Sequence, residues 1–294
     1  MRYACTIGFF DGLHRGHQYL LQQLRAVAAQ RGMQTLVVTF DNSPISVLRP
    51  KETPQLLTDA AEKRDFIANF GIDRCEMLHF SPEMSSLTAL QFLRLRLVPM
   101  GVGLLLMGYD HHFGSDRLGF EQVRSMAESL GVEVVAAEAL QKDKTAVSSS
   151  EIRSMLVEGK VAEAQELLGR PYMLSGTVVP GRHEGTSLGF PTANLKPRST
   201  EKIIPACGAY AVRATLGGKT YAGMTNIGSR PTLKNGSDIS LETHLFGYSG
   251  EAYGEEITIS FVQRLRDERE FSSLESLSNQ LSVDADNAKK ILGQ

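Results

Sequence analysis

The period of the hydrophobic pattern changes once along this 294-residue chain, near residue 170, and this change constrains the fold most. Before it, short apolar runs alternate with segments of helical spacing. After it, the pattern is mostly twofold, until a helical stretch at about 273–292. Alternating strands and helices indicate a parallel sheet covered by helices, whereas consecutive short strands indicate an antiparallel barrel or sandwich. The sequence therefore predicts two domains, 1–170 and 171–294.

Short β-rich runs give the predicted strands of each domain. Those of the first are YACTIG (3–8), TLVVTF (35–40), CEMLHF (75–80), LLLMGY (104–109) and VEVVAA (132–137). Those of the second are YMLSGTVV, AYAVRATL, KTYAGMT, SLETHLF and EITISFV. One continuous helix is predicted at about 151–168. Because ligands bind at the carboxyl ends of parallel strands, we expect GFFDGLHRGH, TFDNSP and GYDHHFG on one rim.

Composition and charge narrow the class of protein. A net charge of −2 gives no electrostatic case for a nucleic-acid partner, and no apolar run approaches the ~20 residues that span a membrane. Cys5, Cys75 and Cys207 are scattered and odd in number, as in reduced cytoplasmic proteins. We therefore expect a cytoplasmic protein whose partners are small molecules. The sequence does not specify an oligomeric state.

The stretch GFFDGLHRGH (8–17) joins a predicted strand to a predicted helix. Gly8 and Gly12 allow the backbone to approach a ligand, and a helix that begins near Gly16 offers free N–H groups to an anion. His14 and His17 lie one turn apart and can face that anion together. For H-x-x-H alone, an ordinary turn with two surface histidines is the better explanation, and a metal-binding pair is a further alternative.

The stretch VSSSEIR (147–153) contains Ser148, Ser149, Ser150 and Arg153. By itself it is also explained as a cluster of helix N-caps. However, H-x-G-H between a strand and a helix, with a serine-rich turn before a second helix, resembles the two signatures of the nucleotidyltransferase superfamily. The combination favours a site where imidazoles, hydroxyls and a guanidinium contact phosphate.

A second polar cluster lies in GRHEGTSLGFPTANL (181–195) and in the later strand SLETHLF. Thr192 and Asn194 alternate along an extended segment, and their oxygens suit Mg²⁺, which is usually held by few protein ligands plus substrate phosphates. Glu242 in mid-strand could take a proton from an alcohol that attacks a phosphoryl group. A hydrogen-bonded loop and a solvated glutamate remain the alternative for either piece alone.

The motifs GFPTANL, NIGSRPT (226–232), LETHLF and LRDEREF (265–271) stand in the order found in riboflavin kinases. With LLGRPY (167–172) and the first-domain motifs, the chain resembles the prokaryotic bifunctional riboflavin kinase/FAD synthetase family over nearly its whole length. The resemblance implies a Rossmann-like α/β nucleotidyltransferase domain, then a six-stranded antiparallel barrel with a C-terminal helix. It also implies phosphorylation of riboflavin by Mg-ATP to FMN, then adenylyl transfer from ATP to FMN, which gives FAD and pyrophosphate.

The resemblance further implies roles for individual residues. Glu242 would be the kinase base, with Thr192 and Asn194 on metal and phosphate. The kinase nucleotide loop would include Gly185, Gly189 and Pro191, and the flavin pocket Arg266, Glu268 and Phe271. The adenylyltransferase site would comprise Gly8, Phe9, Asp11, Gly12, His14, Gly16, His17, Asp110, Ser148, Ser149, Ser150 and Arg153.

Three positions depart from the common family pattern, and all belong to the adenylyltransferase motifs. Phe9 stands in place of asparagine, Ser43 lies where a Pro-His-Pro stretch is usual, and Glu151 replaces an arginine. The alternative is therefore a riboflavin kinase whose first domain adenylylates weakly or not at all.

Overall fold

The computed structural model of this protein describes residues 2–108, 113–138, 147–181, 188–231 and 237–294. The chain divides into two compact units, Met1–Ser149 and Ser150–Gln294. The predicted residues Asp110 and Gly185 lie outside the described ranges.

A parallel five-stranded sheet forms the centre of the first unit, with strand order β3-β2-β1-β4-β5. Its strands are β1 (Tyr3–Ile7), β2 (Gln34–Phe40), β3 (Arg74–Leu78), β4 (Val102–Met107) and β5 (Glu133–Ala136). Cys5 pairs with Leu36 and Leu105 on its two neighbours. All five predicted strands are confirmed. The prediction was possible because their apolar runs are long enough for a strand and too short for a helix.

Helices cover both faces of this sheet. They are α1 (Arg15–Arg31), α2 (Pro44–Leu48), α3 (Ala60–Asn69), α4 (Pro82–Ser85), α5 (Ala89–Phe92) and α6 (Phe120–Ser129), with short 3-10 turns at Asp11–Leu13 and Pro50–Glu52 and a π-helical turn at Leu93–Leu97. Leu36 and Leu105 belong to one apolar core, and Val37 and Leu104 belong to the other. Successive residues of a strand thus enter opposite cores, which explains why these strands read as continuous apolar runs.

The second unit begins with two helices, α7 (Ser149–Val157) and α8 (Val161–Leu168). The single helix expected at 151–168 is therefore wrong. Gly159 has φ 76°, a left-handed conformation that ends α7, and the backbone N–H of Lys160 then returns to the carbonyl of Met155. The apolar spacing continues across this break, which is why the pattern alone predicts one helix.

A closed barrel with strand order β10-β7-β6-β11-β8-β9 follows. The strands are β6 (Tyr172–Val179), β7 (Ala193–Pro197), β8 (Gly208–Leu216), β9 (Lys219–Pro231), β10 (Ser237–Leu245) and β11 (Glu256–Asp267). The helix α9 (Leu274–Leu292) packs Ala285, Ala288 and Leu292 against Ala211 and Met224 of the barrel wall. The six-stranded barrel and the C-terminal helix are confirmed. In the described ranges, no helix has the length and apolarity needed to cross a membrane.

Candidate functional site

The stretch from Gly8 to His17 forms a tight turn where β1 ends at the middle of the sheet. Phe10 has φ 52° and Gly12 has φ 78°, which are left-handed conformations, and α1 begins shortly afterwards at Arg15. β1 lies between β2 and β4, which is the position where the strand order reverses. Crevices outside this point bind ligands in doubly wound sheets, as the sequence predicts for this motif.

The two histidines of the turn are stacked on each other. Their ring centroids are 3.7 Å apart with an interplanar angle of 19°. His14 caps α1, because its Nδ1 accepts the backbone N–H of His17 at 3.4 Å, and the glycine at 16 leaves room for this ring. The structure therefore adds a capping role for His14 to the predicted phosphate contact.

The Nδ1 atom of His17 is buried, and the described residues offer it no hydrogen-bond partner. Burial lowers the pKa of His17 well below its ordinary value, and the nearby His14 and Lys63 lower this pKa further. His17 is therefore neutral at physiological pH. A neutral imidazole offers one donor and one acceptor nitrogen at the start of a helix that attracts anions.

Asp11 fastens the turn to the segment that precedes α3. Its carboxylate accepts hydrogen bonds from the backbone N–H groups of Leu57 and Thr58, at 3.0 and 3.1 Å, and from the Thr58 hydroxyl at 3.2 Å. The Thr58 hydroxyl oxygen also accepts the N–H of Gly12 at 3.0 Å. Asp11 is only 3% exposed, so its main role is to stabilise the turn through these hydrogen bonds.

We expect Asp11→Asn to lower the free energy of unfolding of the first unit by about 1–3 kcal/mol, since the new amide N–H₂ faces backbone donors. Denaturant titration measures this loss, and adenylyl transfer should fall with it. The exposed Asp65→Asn on α3 is the matched control and should change neither quantity. Equal stability of the Asp11 variant and wild type would contradict the assigned role.

The serine turn reaches the same motif through Ser149. Its hydroxyl donates to the backbone carbonyl of Asp11 at 2.9 Å. Ser148 directly precedes α7, Ser150 lies in its first turn and Arg153 in its second. The two predicted motifs of the adenylyltransferase site are thus joined by a hydrogen bond.

A cavity of about 670 Å³ opens beside the turn. Its lining includes Gly8 and Phe9 of the turn, the aromatic rings of Phe40, Phe80, Phe92 and Phe113, and the guanidinium-bearing Arg49 and Arg117. Sequence reasoning missed this cavity, because its walls come from β1, β2 and later loops that are distant along the chain. A mostly apolar cavity with few polar groups is typical of a small-molecule site.

Two of the three departures from the family pattern are placed in this unit. The Phe9 ring lies over the Lys63 ammonium, 3.8 Å from it, and Ser43 is buried at the N-cap position of α2. The third, Glu151, is exposed on α7 in the second unit.

In the barrel, the structure brings Glu242 and Asn194 together. They are direct partners in the register of β10 and β7, and Glu242 also faces Asn226 of β9. Asn194 is only 8% exposed, and its side chain lies against the backbone of Gly181, where a Cβ would collide with it. A carboxylate and two amides therefore meet on adjacent strands.

Two cavities meet at Thr192, which lines both of them. One, of about 350 Å³, is bordered by β7, β10 and the 248–253 segment. The other, of about 260 Å³, contains Glu242 together with the three predicted flavin residues, Arg266, Glu268 and Phe271. The predicted base and the predicted flavin residues thus share one cavity, and Thr192 stands between it and the next.

The loop that carries Thr192 is held by His244, which sequence reasoning missed. The His244 Nδ1 lies 2.8 Å from the carbonyl oxygen of Pro191, so this nitrogen carries the proton and donates. Phe190 and Phe246 contact the same ring edge to face, at centroid distances of 5.3 and 5.6 Å. Gly189 has φ 83°, which favours glycine at this turn.

Arg266 is fixed by a buried carboxylate on α9. Asp284 is 2% exposed and accepts from Arg266 Nε and a terminal guanidinium nitrogen, both at 2.9 Å. Gln280 donates to the same carboxylate at 2.7 Å, and Arg266 lies over the Phe271 ring. Asp284 thereby positions two of the three predicted flavin residues.

Removing one partner of a buried ion pair leaves the other charge buried and uncompensated. We therefore expect Asp284→Asn to lower the free energy of unfolding of the second unit by about 3–5 kcal/mol. The KM for riboflavin, the substrate that the resemblance implies, should rise as Arg266 loses its fixed position. Denaturant titration and steady-state kinetics check both effects against the exposed Asp286→Asn on the same helix. An unchanged KM in a folded variant would refute the positioning role of Asp284.

The fold and the two sites define a two-domain protein in which a nucleotide-binding α/β unit precedes a β-barrel with its own cavities. Family models match accordingly: FAD synthetase over residues 1–151 and riboflavin kinase over residues 168–292. Among curated relatives, the bifunctional riboflavin kinase/FMN adenylyltransferase of Pseudomonas fluorescens is 35% identical over 98% of this chain and 92% of its own. The relative of that name in Escherichia coli K12 is 34% identical with the same coverage. This chain belongs to the bifunctional riboflavin kinase/FMN adenylyltransferase family.

A solved structure from Streptococcus pneumoniae, described as a macrolide-efflux protein, resembles the whole chain. It has a TM-score of 0.91 and 30% identity, and the match covers 98% of this chain and 94% of that one. Its description names a different activity, which is a statement about that protein.

Proposed function

We propose that this chain phosphorylates riboflavin to FMN in its barrel and transfers an adenylyl group from ATP to FMN in its α/β unit. The observation that carries this proposal is that each unit holds its own polar site beside its own cavity. The histidine turn with its aromatic cavity lies within the FAD synthetase match, residues 1–151, and Glu242 with its cavity lies within the riboflavin kinase match, residues 168–292. We assign the adenylyltransferase to residues 1–170 and the kinase to residues 171–294.

For the kinase, we infer that Glu242 is the general base. Riboflavin lies in the cavity of Arg266, Glu268 and Phe271, with its terminal ribityl hydroxyl toward Glu242. The hydroxyl oxygen forms a bond to the γ-phosphorus of ATP while its proton passes to the carboxylate. The bond from that phosphorus to the bridging oxygen breaks, and ADP leaves.

The donor chemistry around Glu242 fits Mg²⁺. Thr192 and Asn194 offer a hydroxyl and an amide oxygen, and the described residues contain no cluster of three or more His, Cys, Asp or Glu side chains suited to a metal. Mg²⁺ needs few protein ligands, because substrate phosphates supply the rest. When bound, the ion would neutralise charge on the phosphates. The residues that would hold it are Thr192 and Asn194.

For the adenylyltransferase, we infer that FMN places its ring in the aromatic cavity beside Phe9 and its phosphate toward the histidine turn. A phosphate oxygen of FMN attacks the α-phosphorus of ATP, the bond to the bridging oxygen breaks, and pyrophosphate leaves. His14, His17 and Ser149 stabilise the charge on these phosphates by hydrogen bonds. Apolar walls with a polar end suit a flavin that carries a phosphate.

A product assay tests the proposal. The chain is incubated with Mg-ATP and either riboflavin or FMN, and both flavin products are quantified by chromatography. We expect FMN and then FAD from riboflavin, and FAD from FMN. FMN accumulation with no FAD from supplied FMN would leave only the kinase.

A further inference from the structure

A lysine that the proposed chemistry does not use lies directly behind the histidine turn. Lys63 belongs to α3 and is 1% exposed, yet it carries an ammonium group. Its Nζ donates to the carbonyl of Phe40 at 2.9 Å, at the carboxyl end of β2. The same Nζ lies 3.8 Å from the centre of the Phe9 ring, which is cation–π distance. Lys63 therefore joins the ends of two adjacent strands, both of which line the aromatic cavity.

The contacts of Phe9 make this arrangement specific. The backbone carbonyl of Phe9 accepts the Thr39 hydroxyl at 3.1 Å, so β2 holds the turn while Lys63 holds the ring. In this chain an aromatic ring stands where asparagine is common in the family, and its face contacts the Lys63 ammonium.

Titratable groups that face Lys63 come from several elements. Burial lowers the pKa of Lys63 to about 8, and Asp11 of the turn, Asp41 after β2 and Cys75 of β3 oppose this shift. The positive charge of Lys63 also lowers the pKa of His17 on α1, which helps to keep that imidazole neutral. The ammonium thus lies within electrostatic reach of the proposed phosphate site.

We propose that Lys63 is a positioning residue of the adenylyl-transfer site, which fixes the Phe9 turn from behind and places a buried positive charge beneath the phosphates. The charge strengthens the attraction for ATP and FMN in a region of low dielectric constant. The inference rests on the adenylyl transfer proposed above. It implies that this activity depends on the protonated form of Lys63.

The test is the pH profile of kcat/KM for FAD formation from FMN. In wild type, we expect a one-proton decline above about pH 8, in a range where phosphates with a second pKa near 6 are already ionised. Lys63→Arg keeps its charge at all these pH values and should remove the decline. Lys63→Met should reduce activity at pH 7 about 10- to 100-fold and show no decline. The exposed Arg64→Met is the matched control and should follow wild type.

A second variant serves if arginine does not fit this buried site. Phe9→Leu removes the ring that stabilises the ammonium, so the decline should move to lower pH by about half a unit. The riboflavin kinase activity of every variant serves as an internal control and should keep the wild-type profile.

Direct titration of lysine side chains by carbon-13 NMR tests the role of Lys63 separately from the proposed adenylyl transfer. The Lys63 signal is assigned by its absence from the Lys63→Arg spectrum. A Lys63 that titrates near 8 agrees with the inference, and one that titrates at the ordinary value near 10.4 overturns it. A decline that persists unchanged in Lys63→Arg also overturns it. No FAD from FMN at any pH, with Lys63 still titrating near 8, would refute the proposed adenylyl transfer instead.

Discussion

Glu242→Gln should abolish riboflavin phosphorylation and leave FAD formation from FMN unchanged. Glutamine preserves the shape of the side chain beside Asn194 and Asn226 but cannot accept the hydroxyl proton. Loss of a general base typically costs about 10²- to 10⁴-fold in rate. Because Glu242 lies on β10 of the barrel, the histidine turn of the first unit keeps all of its described contacts.

Chromatography of the flavins formed from riboflavin and, separately, from FMN measures both activities. Glu256→Gln, an exposed glutamate at the start of β11, is the matched control and should retain both. A folded Glu242 variant that loses both activities, or one that phosphorylates riboflavin normally, would contradict the assignment of the base.

His17→Ala should have the converse effect. The substitution removes the buried imidazole whose Nδ1 is directed to no described partner, together with its stacking on His14. If His17 stabilises the phosphate charge in the transition state, FAD formation from FMN should fall about 10²- to 10³-fold. FMN formation from riboflavin should be unaffected, since the described contacts of this ring are with His14 and Phe10.

The stacked geometry calls for a control on the same helix. Gln22→Ala replaces an exposed side chain of α1 and should preserve both activities. Circular dichroism and denaturant titration show whether the His17 variant remains folded. A parallel loss of kinase activity in a folded His17 variant would exclude two independent sites.

The strands and the sheet class follow from the hydrophobic pattern, because buried parallel strands are short apolar runs and barrel strands alternate. β7 illustrates where the pattern fails. Ala193–Pro197 is only five residues long and lies next to the polar Thr192, so the sequence indicates an extended segment there and the structure makes it a strand. Glu242, which pairs with Asn194 of this strand, lies almost fifty residues further along the chain. Residue spacing does not predict a contact between positions so far apart.

The supporting residues of both sites were beyond prediction for a related reason. Lys63 and Asp284 sit in helices whose amphipathic pattern places ordinary charged residues on the solvent side, yet both are buried. Each is explained only by a partner from another element, the Phe40 carbonyl for Lys63 and the Arg266 guanidinium for Asp284. Motifs reveal residues that act on a ligand, while tertiary contacts reveal those that hold them in place.

The most direct measurement of the central claim, two separate sites that act in sequence, combines the two variants. Glu242→Gln and His17→Ala are mixed in equal amounts with riboflavin and Mg-ATP, and FAD is followed over time. Each variant alone should make FAD from riboflavin at least about 100-fold more slowly than wild type. The mixture should make it much faster than either variant, after a lag in which FMN from one variant reaches the other. FAD formation at the wild-type rate by either variant alone would contradict the account, and so would a mixture no faster than the single variants while each keeps its own half-reaction.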